Sequence, residues 1–359
     1  MQETWGTAAN MRVIDFQVAS EDRKAHTGNP FSAVNAEGMA ELLRTLFLPD
    51  KSQGGGNSEY FTNRASSLIG AMSKVFEWMR DHEGIPITAS TMRANFSDIQ
   101  ALIDLTRSQD DTNASRRFRY FDADTQKVVQ ITLPDDFTEE MLHDIRFYVQ
   151  ETGGYSQKAG DADGQEKVRQ QHSFVIGGFA KTFMMMTTTY GHIFNCNVPD
   201  VELTDVIFNR RNLIVLLPSL ENDPDTNAAI GKTFITAQRY ALSAALGASI
   251  EGNYIDLVKY RPSTARTPYL MLYDESNYFA TRGLDVMMAQ GRELNISIWM
   301  SFQEVGSLYA TLGQHWSIPL LGNPKLKIFE QLEDACPTRE WVEQAGGTMQ
   351  AGVLSGYEN

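Results

Sequence analysis

Two adjacent carboxylates, Asp274 and Glu275, close an apolar run from Tyr269 to Tyr273. In a parallel α/β sheet, ligands bind beyond the carboxyl ends of the strands, so an acid that ends an apolar strand is placed for ligand chemistry. The two carboxylates divide the work of phosphoryl transfer: Asp274 suits the hydration shell of a magnesium ion, and Glu275 suits polarising an attacking water. A second apolar run, Ile296 to Met300, follows an amphipathic helix and leads to Gln303, where a polar side chain at the end of the neighbouring strand can sense a terminal phosphate. This is the order of a Walker B strand and its sensor strand. The same string of apolar residues and Asp-Glu also reads more plainly, as a helix N-cap after a strand.

The phosphate cradle that should accompany such a strand is missing, because no complete G-x-x-x-x-G-K-[ST] loop occurs in the 359 residues. Gly231, Lys232 and Thr233 supply a GKT, but Thr226 stands where the first loop glycine belongs and the LIVLLP strand ends too far upstream for a tight strand-loop-helix turn. The glycines Gly54 to Gly56 have no Lys-Ser/Thr after them. The histidines His26, His82, His143, His172, His192 and His315 form no metal or nucleophile pattern, and His192 in YGHIF reads as a satisfied core residue. Cys196 and Cys336 are too few for a disulfide framework and fit a reducing compartment.

The elements around the acidic pair divide by texture. Met11 to Gln17 suits one buried strand. Met39, Leu42, Leu43, Leu46 and Phe47 then repeat at helical spacing, and Phe61, Ala65, Leu68, Ile69, Met72, Val75, Phe76 and Met79 continue one apolar stripe. The loop PDKSQGGGNS separates these two helices. A helix is expected around Ile99 to Ile103 and another over Glu139 to Gln150 with Thr138 as its N-cap, and RRFRYFDADTQKVVQITL reads as a hairpin turning at Ala123 to Thr125. Gly153 to Glu166 reads as a surface loop, and Lys167 to Tyr190 as a long helix whose Met184 to Met186 triplet fills core. After that, short apolar strands at Leu213 to Leu217, Tyr269 to Tyr273, Ile296 to Met300 and Lys325 to Phe329 alternate with helices, which argues a parallel sheet.

Composition limits the partners. A formal charge of −14 disfavours a surface that tracks nucleic-acid phosphates. The compact basic cluster Arg116, Arg117 and Arg119 reads as a solvated hairpin face, with a basic channel lining as the sharper alternative, and the acidic balance favours protein cargo over DNA. No run of 18 apolar residues occurs, so a membrane anchor would lie outside the chain and the chain itself is expected to be soluble.

In order and spacing, the chain resembles the type IV secretion coupling proteins, part of the wider group of hexameric DNA-translocating motors, and within them the DotL and TrbC branch of Dot/Icm effector secretion and IncI-type conjugation. The resemblance rests on NPFS at Asn29 to Ser32, on NRASSLIGAMSKVFEWMRD at Asn63 to Asp81, on YGHIFN at Tyr190 to Asn195 and on VIFNRRNLIVLLPSLE at Val206 to Glu221. It continues through LYDES, QGRELNISI, SFQE and LGNPKLKIF. It implies a RecA-like parallel sheet, here lacking the Walker A strand-loop-helix, with an inserted mostly helical domain. The nucleotide-binding part would be 1–35 and 200–359, and the insertion 36–199 with its hairpin at 116–133.

The resemblance further implies that Asp274 and Glu275 are the Walker B pair, with Asp274 holding Mg through water, and that Gln303 is the sensor. Arg292 matches the position from which such motors can supply an arginine finger to a neighbouring subunit, beside its plainer reading as a solvated helix-end arginine. Asn323 and Lys327 match the stretch that returns the chain to the sheet near the subunit interface. The complete protein is expected to bind ATP and Mg, to form a homo-hexamer at the cytoplasmic face of the bacterial inner membrane, and to hand effector proteins or a relaxase-DNA complex to the other secretion-system components. The chain alone, without a phosphate loop or membrane helices, is expected to bind no nucleotide tightly, to be inactive and to be compatible with a monomer. Two further readings are a non-catalytic module that binds substrates or adaptors, and another DNA-translocating motor of the same superfamily.

Overall fold

The structure, a computed structural model, describes residues 12–16, 25–48, 56–106, 116–151, 162–221, 223–246, 266–330 and 337–347. The chain divides into two compact units, Met1–Pro262 and Ser263–Asn359. The class is α/β, with parallel strand pairs among many helices.

In the first unit, β1 (Arg12–Asp15) and β4 (Leu213–Leu216) pair in parallel, with Val13 opposite Ile214 and Asp15 opposite Leu216. The helix Ala36–Phe47 starts where Asn35 Oδ1 accepts from the Gly38 amide at 2.9 Å, and it buries Met39, Leu42 and Leu43 completely. The helix Gly56–Glu83 buries Leu68, Ile69, Met72, Val75, Phe76 and Met79, as the stripe required. The helices Ile99–Thr106 and Glu139–Glu151 are present, the latter directly after Thr138.

β2 (Arg117–Asp122) and β3 (Lys127–Thr132) form the expected antiparallel hairpin, and Asp122 accepts from Asp124 and Thr125 to hold its turn. The basic cluster is not a solvated face. Buried Arg116 pairs with Glu139, and Arg119 pairs with Asp98 at 3.1 Å and Asp104 at 3.5 Å, so only Arg117 of the three is exposed.

The long helix expected over Lys167 to Tyr190 begins earlier, at Ala162, inside the stretch read as a loop, whose residues 153–161 lie outside the described residues. It breaks at Gly177 and Gly178 and ends in a π-helical turn, Met185–Thr189. Met185 and Met186 are buried, whereas Met184 points outward and is 61% exposed. Packed rings mark the centre of this unit: Phe16 lies 5.1 Å from Tyr190, 5.5 Å from Phe194 and 5.9 Å from Phe234.

In the second unit, β5 (Tyr269–Tyr273) and β6 (Ile296–Met300) pair in parallel, with Tyr269 opposite Ile296 and Tyr273 opposite Met300. The helix Leu284–Gln290 connects them. The strand runs are not covered on both faces: Met271 and Tyr273 are buried, but Leu270 and Leu272 are 56% and 67% exposed beside exposed Trp299. The strand expected at Lys325 to Phe329 is absent. That segment follows Pro324 in irregular backbone with Leu326 and Ile328 both 69% exposed, since alternating Lys and apolar residues make a strand only against a pairing edge.

Candidate functional site

The acidic pair stands where β5 ends, and the geometry there is set by the start of the loop after β6. The β5–β6 register, extended one step past Tyr273 and Met300, brings Asp274 beside Ser301. The ladder continues across this point, with the Ser301 amide donating to Tyr273 O at 2.9 Å and the Ser276 amide donating to Ser301 O at 2.9 Å. The side chains repeat the connection. Ser301 Oγ–H donates to Asp274 Oδ1, and Ser276 Oγ donates to Ser301 O at 2.9 Å. The Glu275 amide faces Asp274 Oδ1 at 3.1 Å and Ser301 Oγ at 3.2 Å.

This turn forces Glu275 into the left-handed region, with φ 50° and ψ 39°. For a residue with a Cβ that conformation costs on the order of 1–2 kcal/mol, and such cost gathers at functional sites. Both carboxylates are exposed, while Ser276 and Asn277 behind them are buried at 0% and 2%. Below the turn, Tyr273 is buried, and that burial pushes its phenol well above the ordinary tyrosine range.

Gln303 is exposed in the loop that leaves the carboxyl end of β6, so it shares an end of the strand pair with Asp274 and Glu275. Arg292 does not. It lies exposed in the turn that enters β6, at the other end of a five-residue strand, about 17 Å away at the usual rise per residue. Asn323 closes the end of the helix Gln314–Gly322, its Nδ2 donating to Asp285 O at 2.8 Å. Lys327 is exposed and donates to Pro324 O at 2.8 Å.

The donor set fits a magnesium ion carried with its phosphates. Such an ion keeps several waters and takes only one or two carboxylates from the protein. Asp274 Oδ1 is engaged by two donors, and the exposed carboxylate leaves Oδ2 for a water or cation. Among the described residues no trio of His, Cys, Asp and Glu forms a metal cage, which this mode of binding does not require.

The GKT is no phosphate loop. Gly231, Lys232 and Thr233 sit in the middle of the helix Pro224–Leu246, where backbone amides are committed to the helix and Thr233, 1% exposed, donates back to Ala229 O at 2.7 Å. The reading of His192 as a core residue is corrected: it is exposed within the short helix Gly191–Phe194, and the core histidine is His172. The sequence reading missed Ser301, although its signal is visible in hindsight: in SFQE it stands two residues before Gln303, one step beyond the last paired residue of β6.

The resemblance to coupling proteins is supported by comparison with known proteins. The chain is 29% identical over 350 residues, 95% of its length, to the type 4 coupling protein DotL of Legionella pneumophila, and it spans 42% of that protein. Among solved structures, the bacterial conjugative coupling protein TrwBdeltaN70 aligns over 87% of this chain and 56% of its own, with 12% identity and a TM-score of 0.38. No protein-family model matches the chain. No helix among the described residues is long and apolar enough to cross a membrane.

Proposed function

We propose that this chain is part of the cytoplasmic ATPase region of a type IV coupling protein of the DotL and TrbC branch, which gathers secretion substrates at the bacterial inner membrane and drives them into a secretion channel. The observation that carries this reading is the 29% identity with a type 4 coupling protein over 95% of the chain. An acid pair at the carboxyl end of a parallel strand supplies the matching chemistry.

In the complete protein, ATP with magnesium supplies the phosphoryl group to be transferred and the positive charge that neutralises it. Asp274 holds its carboxylate toward that ion's water shell, oriented through Oδ1. Glu275 presents an exposed carboxylate that polarises the attacking water and takes up its proton. Gln303, from the adjacent strand end, orients toward the terminal phosphate. Arg292, at the far end of β6, acts on the site of a neighbouring subunit, which requires the homo-hexamer. Residues 1–35 with 200–359 form the nucleotide-binding part, and 36–199 form the inserted domain that meets effector proteins, a relaxase-DNA complex or adaptors.

The test is ATP turnover by the complete protein, with and without magnesium, beside a Glu275→Gln variant. Magnesium-dependent hydrolysis lost in the variant supports the reading, and full activity in Glu275→Gln overturns the assignment of the pair. A second reading, a binding module whose acid pair does no chemistry, draws on the burial of the GKT within a helix. It is favoured if the complete protein neither binds nor hydrolyses ATP yet still captures secretion substrates.

A further inference from the structure

The strongest unassigned feature of the site is the double connection made by one side chain. Ser301 is exposed and outside the helices, yet its backbone carbonyl receives both donors of Ser276 and its hydroxyl reaches both residues of the acidic pair. A serine in a solvated loop has no packing reason to make four such contacts. Its neighbour Glu275 is held in a left-handed conformation that the chain would otherwise leave. The turn is joined covalently to β5, and Ser301 adds a hydrogen-bonded tie to the end of β6.

We propose that Ser301 is a positioning residue for the acidic pair: its hydroxyl fixes Asp274 Oδ1 and, through the Glu275 amide, the left-handed turn that aims the Glu275 carboxylate. This rests on the reading of Asp274 and Glu275 as the hydrolytic pair. The consequence is directional. Donation from Ser301 Oγ–H occupies Oδ1, so Asp274 turns its other oxygen to solvent and the ion's water shell. Acceptance by the same Oγ holds the amide that starts the turn. The hydroxyl also ties the acid pair to the segment carrying Gln303, two residues on, so the pair and the sensor side chain are anchored to the same stretch of backbone. Misplacement by about 1 Å at such a site costs up to a hundredfold in rate.

Two measurements test this with Ser301→Ala, Ser301→Thr and, as a control, Asp274→Ala. The first is amide hydrogen exchange at Glu275 in this chain, which needs no nucleotide. The second is steady-state ATP hydrolysis by the complete protein. We expect exchange at Glu275 to accelerate about tenfold in Ser301→Ala, kcat to fall about tenfold with KM for ATP within twofold, and Ser301→Thr, which keeps the hydroxyl, to restore both. Unchanged exchange overturns the proposal whatever the activity. Unchanged kcat in Ser301→Ala while Asp274→Ala is inactive also overturns it, and leaves the acidic-pair reading standing. Full activity in Asp274→Ala removes that reading and the role of Ser301 together.

Discussion

Tyr148 Oη lies 2.8 Å from His172 Nδ1, and the other ring nitrogen lies 2.8 Å from the carbonyl of Phe96. A carbonyl can only accept, so Nε2 carries the proton and Nδ1 accepts from the tyrosine, which fixes the neutral tautomer in a ring 2% exposed. Burial lowers the pKa of His172 below its ordinary 6.5, an effect only partly opposed by the Phe96 hydrogen bond. A base with a depressed folded pKa contributes stability that is complete above the unfolded value and is lost as the pH falls through the folded one. The first unit should therefore lose stability as pH falls below about 6.5. Urea midpoints at pH 7.5 and 5.0 check this, and His172→Gln should flatten the difference; an equally steep decline in the variant would locate the titration elsewhere.

A second close approach constrains the packing of two helices. A Cβ at Gly38 would stand 2.7 Å from the Tyr240 ring, whose hydroxyl donates to Glu41 Oε2 at 2.5 Å while Arg239 pairs with the same carboxylate. Gly38→Ala gains about 1 kcal/mol in helix propensity but overpacks the contact by about 1–3 kcal/mol. A net loss of stability is expected, read as a lower urea midpoint with an unchanged slope. A midpoint equal to or above the parent's would mean that the two helices part without cost.

The same cluster raises the Tyr240 phenol to about 12, first through burial and then through Glu41. The sign is that of a raised pKa: stability is complete below pH 10, where the unfolded tyrosine is still protonated, and is lost as the pH rises toward 12. Tyr240→Phe should therefore be less sensitive to alkali between those limits, as followed by ellipticity during base titration. Identical alkaline transitions would count against the coupling.

Much of this architecture could be read from residue pattern alone because its signals were local. β5 and β6 fall where the short, mainly apolar runs Tyr269–Tyr273 and Ile296–Met300 placed them, and the helix Gly56–Glu83 follows a stripe with an i, i+3, i+4 period. Arg116 and Arg119 were misread because their partners, Glu139, Asp98 and Asp104, are distant in sequence, and ion pairing depends on the fold rather than on composition. The Lys325–Phe329 segment failed for a related reason: alternation describes a side-chain pattern, while a strand needs an edge to pair with. At the site, Asp274, Glu275 and Gln303 were legible as strand-end polar residues. The left-handed turn at Glu275 was not, since glutamate carries no preference for it and the conformation is imposed by the Ser301 contacts.

Lys232 provides a test of the phosphate-loop question at a site away from the acid pair. Its GKT lies inside the continuous helix Pro224–Leu246, away from either end, with no loop of amides to gather around a phosphate. Lys232→Ala should leave binding of a fluorescent ATP analogue by the complete protein within about twofold, where loss of a true phosphate-loop lysine would abolish it. Loss of binding with an unchanged fold would restore the GKT as a candidate.

The left-handed backbone at Glu275 separates its chemical role from its structural cost. Replacing the side chain by alanine removes the carboxylate but keeps a Cβ at φ 50°, whereas glycine removes both. Glycine recovers about 1–2 kcal/mol of left-handed strain and gives back about 0.5–1 kcal/mol of chain entropy, so Glu275→Gly should be more stable than Glu275→Ala by roughly 0.5–1 kcal/mol. Hydrolysis by the complete protein should fall a hundredfold or so in both, the usual order for removing a general base. Equal loss of activity with that difference in stability identifies the carboxylate as the working group and the turn as its strained support. Retention of activity in Glu275→Gly would instead show that the water is polarised by some other group, and that the left-handed turn serves the backbone path alone.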